Sequence, residues 1–291
     1  MQPIEGLVIV DDMMCTGSSI SNATRLYRAG KEVYRTKTEV LNRYISGRSS
    51  TSRAAVLAGK RVFFINSLHQ VISLLMDKDA IDRGDQIETE HHSLQSMICI
   101  WADDRQFACL TDRGDLNLVD YKAKPHTVKS VNDLRQVLFP SDRPFKANNH
   151  ESVSITGCTQ YLAVAKSCIK ECTSTVALLN RNGIVLSTSH DNSHYKSIAR
   201  NAPIHNMQFI VLKRRIFLVA QNLYSVVRLF LINPKNKAAI HYIRTFKIAA
   251  GEYNLPLIPI PSQPDHLITC SNSETCRVMQ ITLNYGNDSN C

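Results

Sequence analysis

The sequence predicts an all-β chain made of repeated small antiparallel sheets, and three observations predict it. Runs rich in β-branched and aromatic residues alternate with tight polar turns along nearly the whole chain. The turns recur at intervals of about 40–50 residues, with several short strands in each interval. Between them, the apolar runs of about 10–15 residues that crossover helices need are missing.

Taken in chain order, "TRLYRAGKEVYRT" (24–36) turns at Ala29-Gly30 and "RVFFINSLHQVISLLM" (61–76) near Asn66-Ser67. "FACLTDRGDLNLVDY" (107–121) turns at Arg113-Gly114, and "TVALLNRNGIVLSTS" (175–189) at Asn182-Gly183. A glycine after Asn or Arg supplies the positive φ such turns require. "RLFLINPKNKAAIHYIRTF" (228–246) turns around Asn233-Pro234, and "RVMQITLNYGND" (277–288) begins the same move. From turn to turn the spacing is 37, 46, 69, 52 and 51 residues. A further strand-like run precedes most hairpins: "GLVIVDD", "SMICIWAD", "TQYLAVAK", "RRIFLVAQ" and "DHLITCSN". The unit is therefore strand, loop, strand, turn, strand, with room for a fourth strand.

One small sheet cannot bury both of its faces alone, whereas several stacked radially can. The expectation is a single β-propeller domain over residues 1–291, with six or seven blades and with N- and C-terminal segments pairing to close it. Two insertions read as long loops, 46–53 and 122–149, the second with a short helix at "VNDLRQVLF" (131–139). The repeats resemble those of WD-repeat and related propellers in pattern rather than in motif. The chain has a single tryptophan, Trp101, with no Trp-Asp dipeptide and no Gly-His pair. What the resemblance implies is a non-catalytic scaffold that presents loops and faces to other proteins.

Hydrophobic residues at 44% and charged residues at 20% describe an ordinary globular chain, and 291 residues suffice to bury a core without disulfide or metal staples. No apolar run approaches the roughly 18 residues of a membrane span, and "MQPIEGLVIVDD" lacks a basic leader region. The expected location is cytoplasm or nucleus, with no membrane partner. Most of the nine cysteines then read as buried reduced thiols, as at Cys99, Cys109 and Cys270. The spacings of Cys168 with Cys172 and of Cys270 with Cys276 are not those of a zinc knuckle. No metal and no cofactor is expected.

The net charge of +9 is concentrated: residues 20–61 carry ten Lys or Arg against two Glu, a net +8. The candidate contacts are Arg25, Arg28, Arg35, Arg43, Arg48 and Arg53. Guanidinium groups can hold carboxylate or phosphate through two parallel hydrogen bonds, so an acidic peptide, a phosphopeptide or RNA is admissible as partner. Strand alternation would divide Arg25, Arg28 and Arg35 between two faces, so the loop cations Arg43, Arg48 and Arg53 are expected to carry more of the contact.

One stretch points elsewhere. "LVIVDDMMCTGSSISNATRLYRAGKEVY" (7–34) resembles the phosphoribosyl-diphosphate loop of phosphoribosyltransferases and related synthetases. The resemblance implies that Asp11 and Asp12 hold ribose hydroxyls and that Thr16, Gly17, Ser18 and Ser19 hold a phosphate at the start of a helix. Cys15 and Ser18-Ser19 depart from that family's pattern. Only six residues precede Leu7, too few for the strands that build the rest of such a site. A nucleotide-handling enzyme is the alternative function on these residues.

Other constellations are weaker. His91 and His92 with Glu88 and Glu90 read as a solvated loop, since strand alternation would part the two imidazoles. His190, Asp191 and His194 lie in a turn-like "SHDNSHY", and Lys213, Arg214 and Arg215 mark an exposed strand tip.

Overall fold

The computed structural model describes residues 7–16, 19–28, 31–40, 55–58, 61–65, 69–75, 88–123, 126–131, 133–138, 151–168, 173–191, 204–212, 214–222, 226–233, 239–247, 258–260, 263–270 and 276–280. They form 22 strands in six sheets and one short helix.

The first sheet holds β1 (Leu7–Thr16), β2 (Ser19–Arg28) and β3 (Lys31–Val40). The second holds β4 (Ala55–Ala58), β5 (Arg61–Ile65), β6 (Val71–Leu75) and β7 (Glu88–His91). β8 (Met97–Ala102), β9 (Gln106–Thr111), β10 (Leu116–Asp120) and β11 (Thr127–Val131) make the third, followed by helix α1 (Asp133–Leu138). The fourth consists of β12 (Glu151–Gly157), β13 (Tyr161–Cys168), β14 (Thr173–Asn180) and β15 (Val185–Asp191). The fifth contains β16 (Ile204–Leu212), β17 (Arg215–Asn222), β18 (Val226–Ile232) and β19 (Ile240–Lys247). The sixth has β20 (Ile258–Ile260), β21 (Gln263–Cys270) and β22 (Cys276–Gln280). Each sheet is an antiparallel meander in sequence order, and among the described residues the first and last sheets share no strand.

The sheets from the second to the sixth begin at residues 55, 97, 151, 204 and 258, a repeat of 42 and then 53–54 residues. That repeat is steadier than the turn spacing. The hairpins read from sequence join the second and third strands in the first three sheets, but the third and fourth in the next two. The interval of 69 is therefore one sheet plus one strand. The stretch 122–149 carries β11 as well as α1, and residues 46–53 lie outside the described residues.

Successive sheets pack through their first strands, β4 on β8, β8 on β12 and β12 on β16. This stacking buries both faces of a sheet, which is why central strands such as β13 and β18 are apolar almost throughout. Along β13, Leu162 and Val164 enter a core with Leu110, Leu116, Val153 and the α1 residues Leu134 and Leu138. Their neighbours Tyr161, Ala163 and Ala165 enter a second core with Phe209, Leu218 and Phe230 of the fifth sheet. A third core joins Phe63 and Val71 of the second sheet to Met97, Ile100 and Phe107 of the third.

Two glycines are dictated by this stacking. Gly183, at φ +84°, closes the β14–β15 hairpin as its Asn-Gly sequence predicts, and a Cβ there would lie 2.5 Å from Val131 of the third sheet. Gly157 is packed on the indole of Trp101, where a Cβ would lie 2.6 Å from the ring. No described helix is long and apolar enough to cross a membrane.

Candidate functional site

The first sheet holds both stretches singled out in the sequence. β1 pairs antiparallel with β2, with Asp11 opposite Thr24, Asp12 opposite Ala23 and Thr16 opposite Ser19. Gly17 and Ser18 lie outside the described residues. The phosphoribosyl-diphosphate resemblance requires a helix after this loop, and a second strand follows instead. There is thus no helix N-terminus after Ser19 to favour a phosphate. Asp11 and Asp12 are consecutive on β1, so they fall on opposite faces of the sheet rather than together. The backbone corrects that expectation.

The same register brings cationic positions together. Position 25 on β2 stands directly opposite position 35 on β3, with Val10 of β1 completing the row. The adjacent row on that face is Asp12, Ala23 and Lys37. Positions 25, 35 and 37 therefore share one face, together with Asp12 and Glu39. Arg28 falls on the other face, opposite Lys31, beyond a bulge that skips Val33. Arg43, Arg48 and Arg53 lie outside the described residues. Like charges directly opposite one another disfavour a sheet unless an anion lies between them.

Elsewhere the polar side chains act mainly between sheets. Arg181, in the β14–β15 turn, lies 4.5 Å from the centre of the Trp101 ring and pairs with Asp103, and its Nη1 donates to the Cys158 carbonyl at 3.2 Å. Trp101 is thereby held between Arg181 and the Gly157 backbone, tying the third sheet to the fourth. Lys129 Nζ adds a hydrogen bond to the Asn182 carbonyl at 3.0 Å. Sequence reasoning missed this clasp because Asp103 and Arg181 are 78 residues apart.

A second polar cluster spans the second and third sheets. Glu88–His91 forms β7, and His92 beyond it is buried at 7% exposure, a correction to the solvated-loop reading. His92 Nε2 lies 3.1 Å from Ser73 Oγ, and its ring packs edge-on against Phe107 at 5.0 Å and beside the His126 ring at 5.4 Å. Glu90 accepts from Arg61 Nη1 at 3.1 Å, while its other oxygen lies 3.3 Å from His126 Nε2. Glu90, His92 and His126 are the described residues whose side chains can converge on a metal ion. Nearby, Tyr121 donates its hydroxyl to the Asp103 carbonyl at 2.8 Å, and burial, with the charges of Asp103 and Asp104, pushes its pKa up to about 12. Asp120 goes the other way. Desolvation alone would raise its carboxyl, but the Lys122 and Ala123 amides and Arg105 hold it below the ordinary value.

At the exposed tip between β16 and β17, Arg214 sits at φ +64°, Arg215 is exposed, and Lys213 lies outside the described residues. His190 and Asp191 end β15, and His194 lies outside the described residues.

Six small antiparallel meanders in chain order, the second to the sixth packed on one another through their first strands, define the class: a β-propeller. Solved structures agree. BamB from Moraxella catarrhalis is similar at TM-score 0.50 and 14% identity, covering 92% of this chain and 71% of that one. The N-terminal domain of Nup159 is similar at TM-score 0.51 and 8% identity, covering 94% and 75%. No family model matches the sequence, and neither does any curated protein.

Proposed function

We propose that this propeller is a non-catalytic scaffold that docks an acidic or phosphorylated segment of a partner protein on the Arg25–Arg35 pair of its first sheet. The observation that carries the reading is the register that sets Arg25 opposite Arg35 with Lys37 in the next row. A carboxylate or phosphate between two guanidinium groups relieves their repulsion and accepts parallel hydrogen bonds from each. Arg43, Arg48 and Arg53 follow β3 in sequence and extend the same cationic segment. An antiparallel sheet presents such a pair with little rearrangement, which suits a scaffold. The reading places the protein in cytoplasm or nucleus, where Cys99, Cys109, Cys158 and Cys168 persist as thiols. No cofactor enters it.

The test is binding of acidic and phosphorylated peptides, followed by fluorescence anisotropy at low and physiological salt. Arg25→Glu with Arg35→Glu should weaken binding and flatten its salt dependence, and Arg28→Glu on the opposite face should not. Arg35→Glu alone replaces a like-charged pair by an opposite one, so it should not lower stability, and weaker binding there cannot come from misfolding. Equal effects of the Arg28 and Arg25/Arg35 reversals would refute the proposal.

A further inference from the structure

The polar cluster between the second and third sheets has the composition of a metal site. Its three members are two imidazoles and a carboxylate, the donors that zinc-class divalent ions take in preference to magnesium. Each offers one ligand atom, and these atoms lie within 4.8 Å of one another. A tetrahedral ion with bonds near 2.1 Å needs its ligands roughly 3.4 Å apart. Glu90 Oε1 and His126 Nε2 already stand at 3.3 Å. Closing the remainder takes a small swing of the His126 imidazole, which is only partly buried and immediately precedes β11.

The surroundings orient the donors. The backbone N–H of His92 donates to the Val71 carbonyl at 3.0 Å, which fixes the residue against β6. Ser73 Oγ holds its ring at 3.1 Å and in turn accepts from Arg61 at 3.2 Å. Arg61 occupies one oxygen of Glu90 and leaves the other towards His126, the arrangement of an outer partner steering a ligating carboxylate. Phe63 and Phe107 pack on His92 and keep that side of the cluster dry. The positive charge of Arg61 opposes a bound cation, and Tyr121 backs the cluster by packing on Phe63 at 4.9 Å.

We infer that Glu90, His92 and His126 bind one zinc-class divalent ion that bridges the second and third sheets. Glu90 and His92 come from the end of the second sheet and His126 from the third, so the ion would lock two neighbours in the stack.

The experiment is a titration of the full chain, stripped of metal under reducing conditions, with zinc, cobalt(II) and magnesium separately. The expected result is one zinc per chain outside the cysteines, no magnesium binding, and a cobalt spectrum with tetrahedral bands that lack thiolate charge transfer. His126→Gln and Glu90→Gln should each weaken this binding by roughly tenfold or more. Both residues are partly exposed, and unchanged circular dichroism of the two variants establishes that they fold. Zinc should also raise the unfolding temperature of the wild type and not of His126→Gln. No zinc binding, zinc binding unchanged in both variants, or cobalt bands of thiolate character alone would overturn the inference.

Discussion

Gly183 tests the stacking of the third and fourth sheets most sharply. Its φ of +84° strains any residue with a Cβ by about 1–2 kcal/mol. An added Cβ would stand 2.5 Å from Val131 Cγ2 and 3.2 Å from Leu118 Cδ1, far inside van der Waals contact. Val131 is buried on the neighbouring sheet and cannot simply swing away, so overpacking adds about 1–3 kcal/mol. Gly183→Ala should therefore cost roughly 2–5 kcal/mol in all. Val131→Ala on its own should cost about 1–3 kcal/mol for the lost burial. The double variant removes the colliding methyl and should be less destabilised than the sum by about 1 kcal/mol or more. Urea denaturation followed by tryptophan fluorescence suits the assay, because the chain's single tryptophan, Trp101, lies at this same interface. Additive costs, with no coupling between 183 and 131, would refute the packing of the β14–β15 turn on β11.

Two further outcomes follow from buried groups. Tyr121 has a folded pKa of about 12 against an ordinary value of 10, so its stabilising contribution is intact below pH 10 and lost as pH rises towards 12. Denaturation across that window should show wild-type stability falling more steeply than that of Tyr121→Phe, and parallel slopes would contradict it. Burial raises the Cys99 thiol to about 12 and drives Cys109 higher still, so both stay protonated at neutral pH. Thiol alkylation of the folded protein, read by peptide mass mapping, should modify Cys158 well before either; early modification of Cys109 would show the third core is open.

The parts of this fold legible in the sequence are those where one strand records its own surroundings. Strands such as β9, β13 and β18 are buried on both faces, and their continuous apolar runs stand out without knowledge of any neighbour. Asn182-Gly183 and Arg113-Gly114 announce their turns because only a positive φ closes them, and both glycines have it. Solvent-side strands were harder to read. In β11, "TVKSV" exposes all but its last residue, and in β7, "ETEH" has no apolar alternation, so pattern alone reads both as loop. The clasp of Arg181 on Trp101 and the Glu90, His92 and His126 cluster depend on which sheets become neighbours, information that no local window contains. Alternation within one strand separates Arg25 from Arg28, but it does not say which residue of the next strand lies opposite. Arg25 and Arg35 share a face through the cross-strand register, which is set by the β2–β3 turn and its bulge.

The central claim is that the Arg25–Arg35 pair of the first sheet recruits an acidic protein segment. Affinity capture from native lysate, with nuclease-treated and untreated arms, tests it directly when wild type is compared with Arg25→Glu/Arg35→Glu. The account predicts the same proteins in both wild-type arms, eluting as salt rises and depleted by the double reversal. Capture that disappears with nuclease, or that survives the double reversal undiminished, would contradict it.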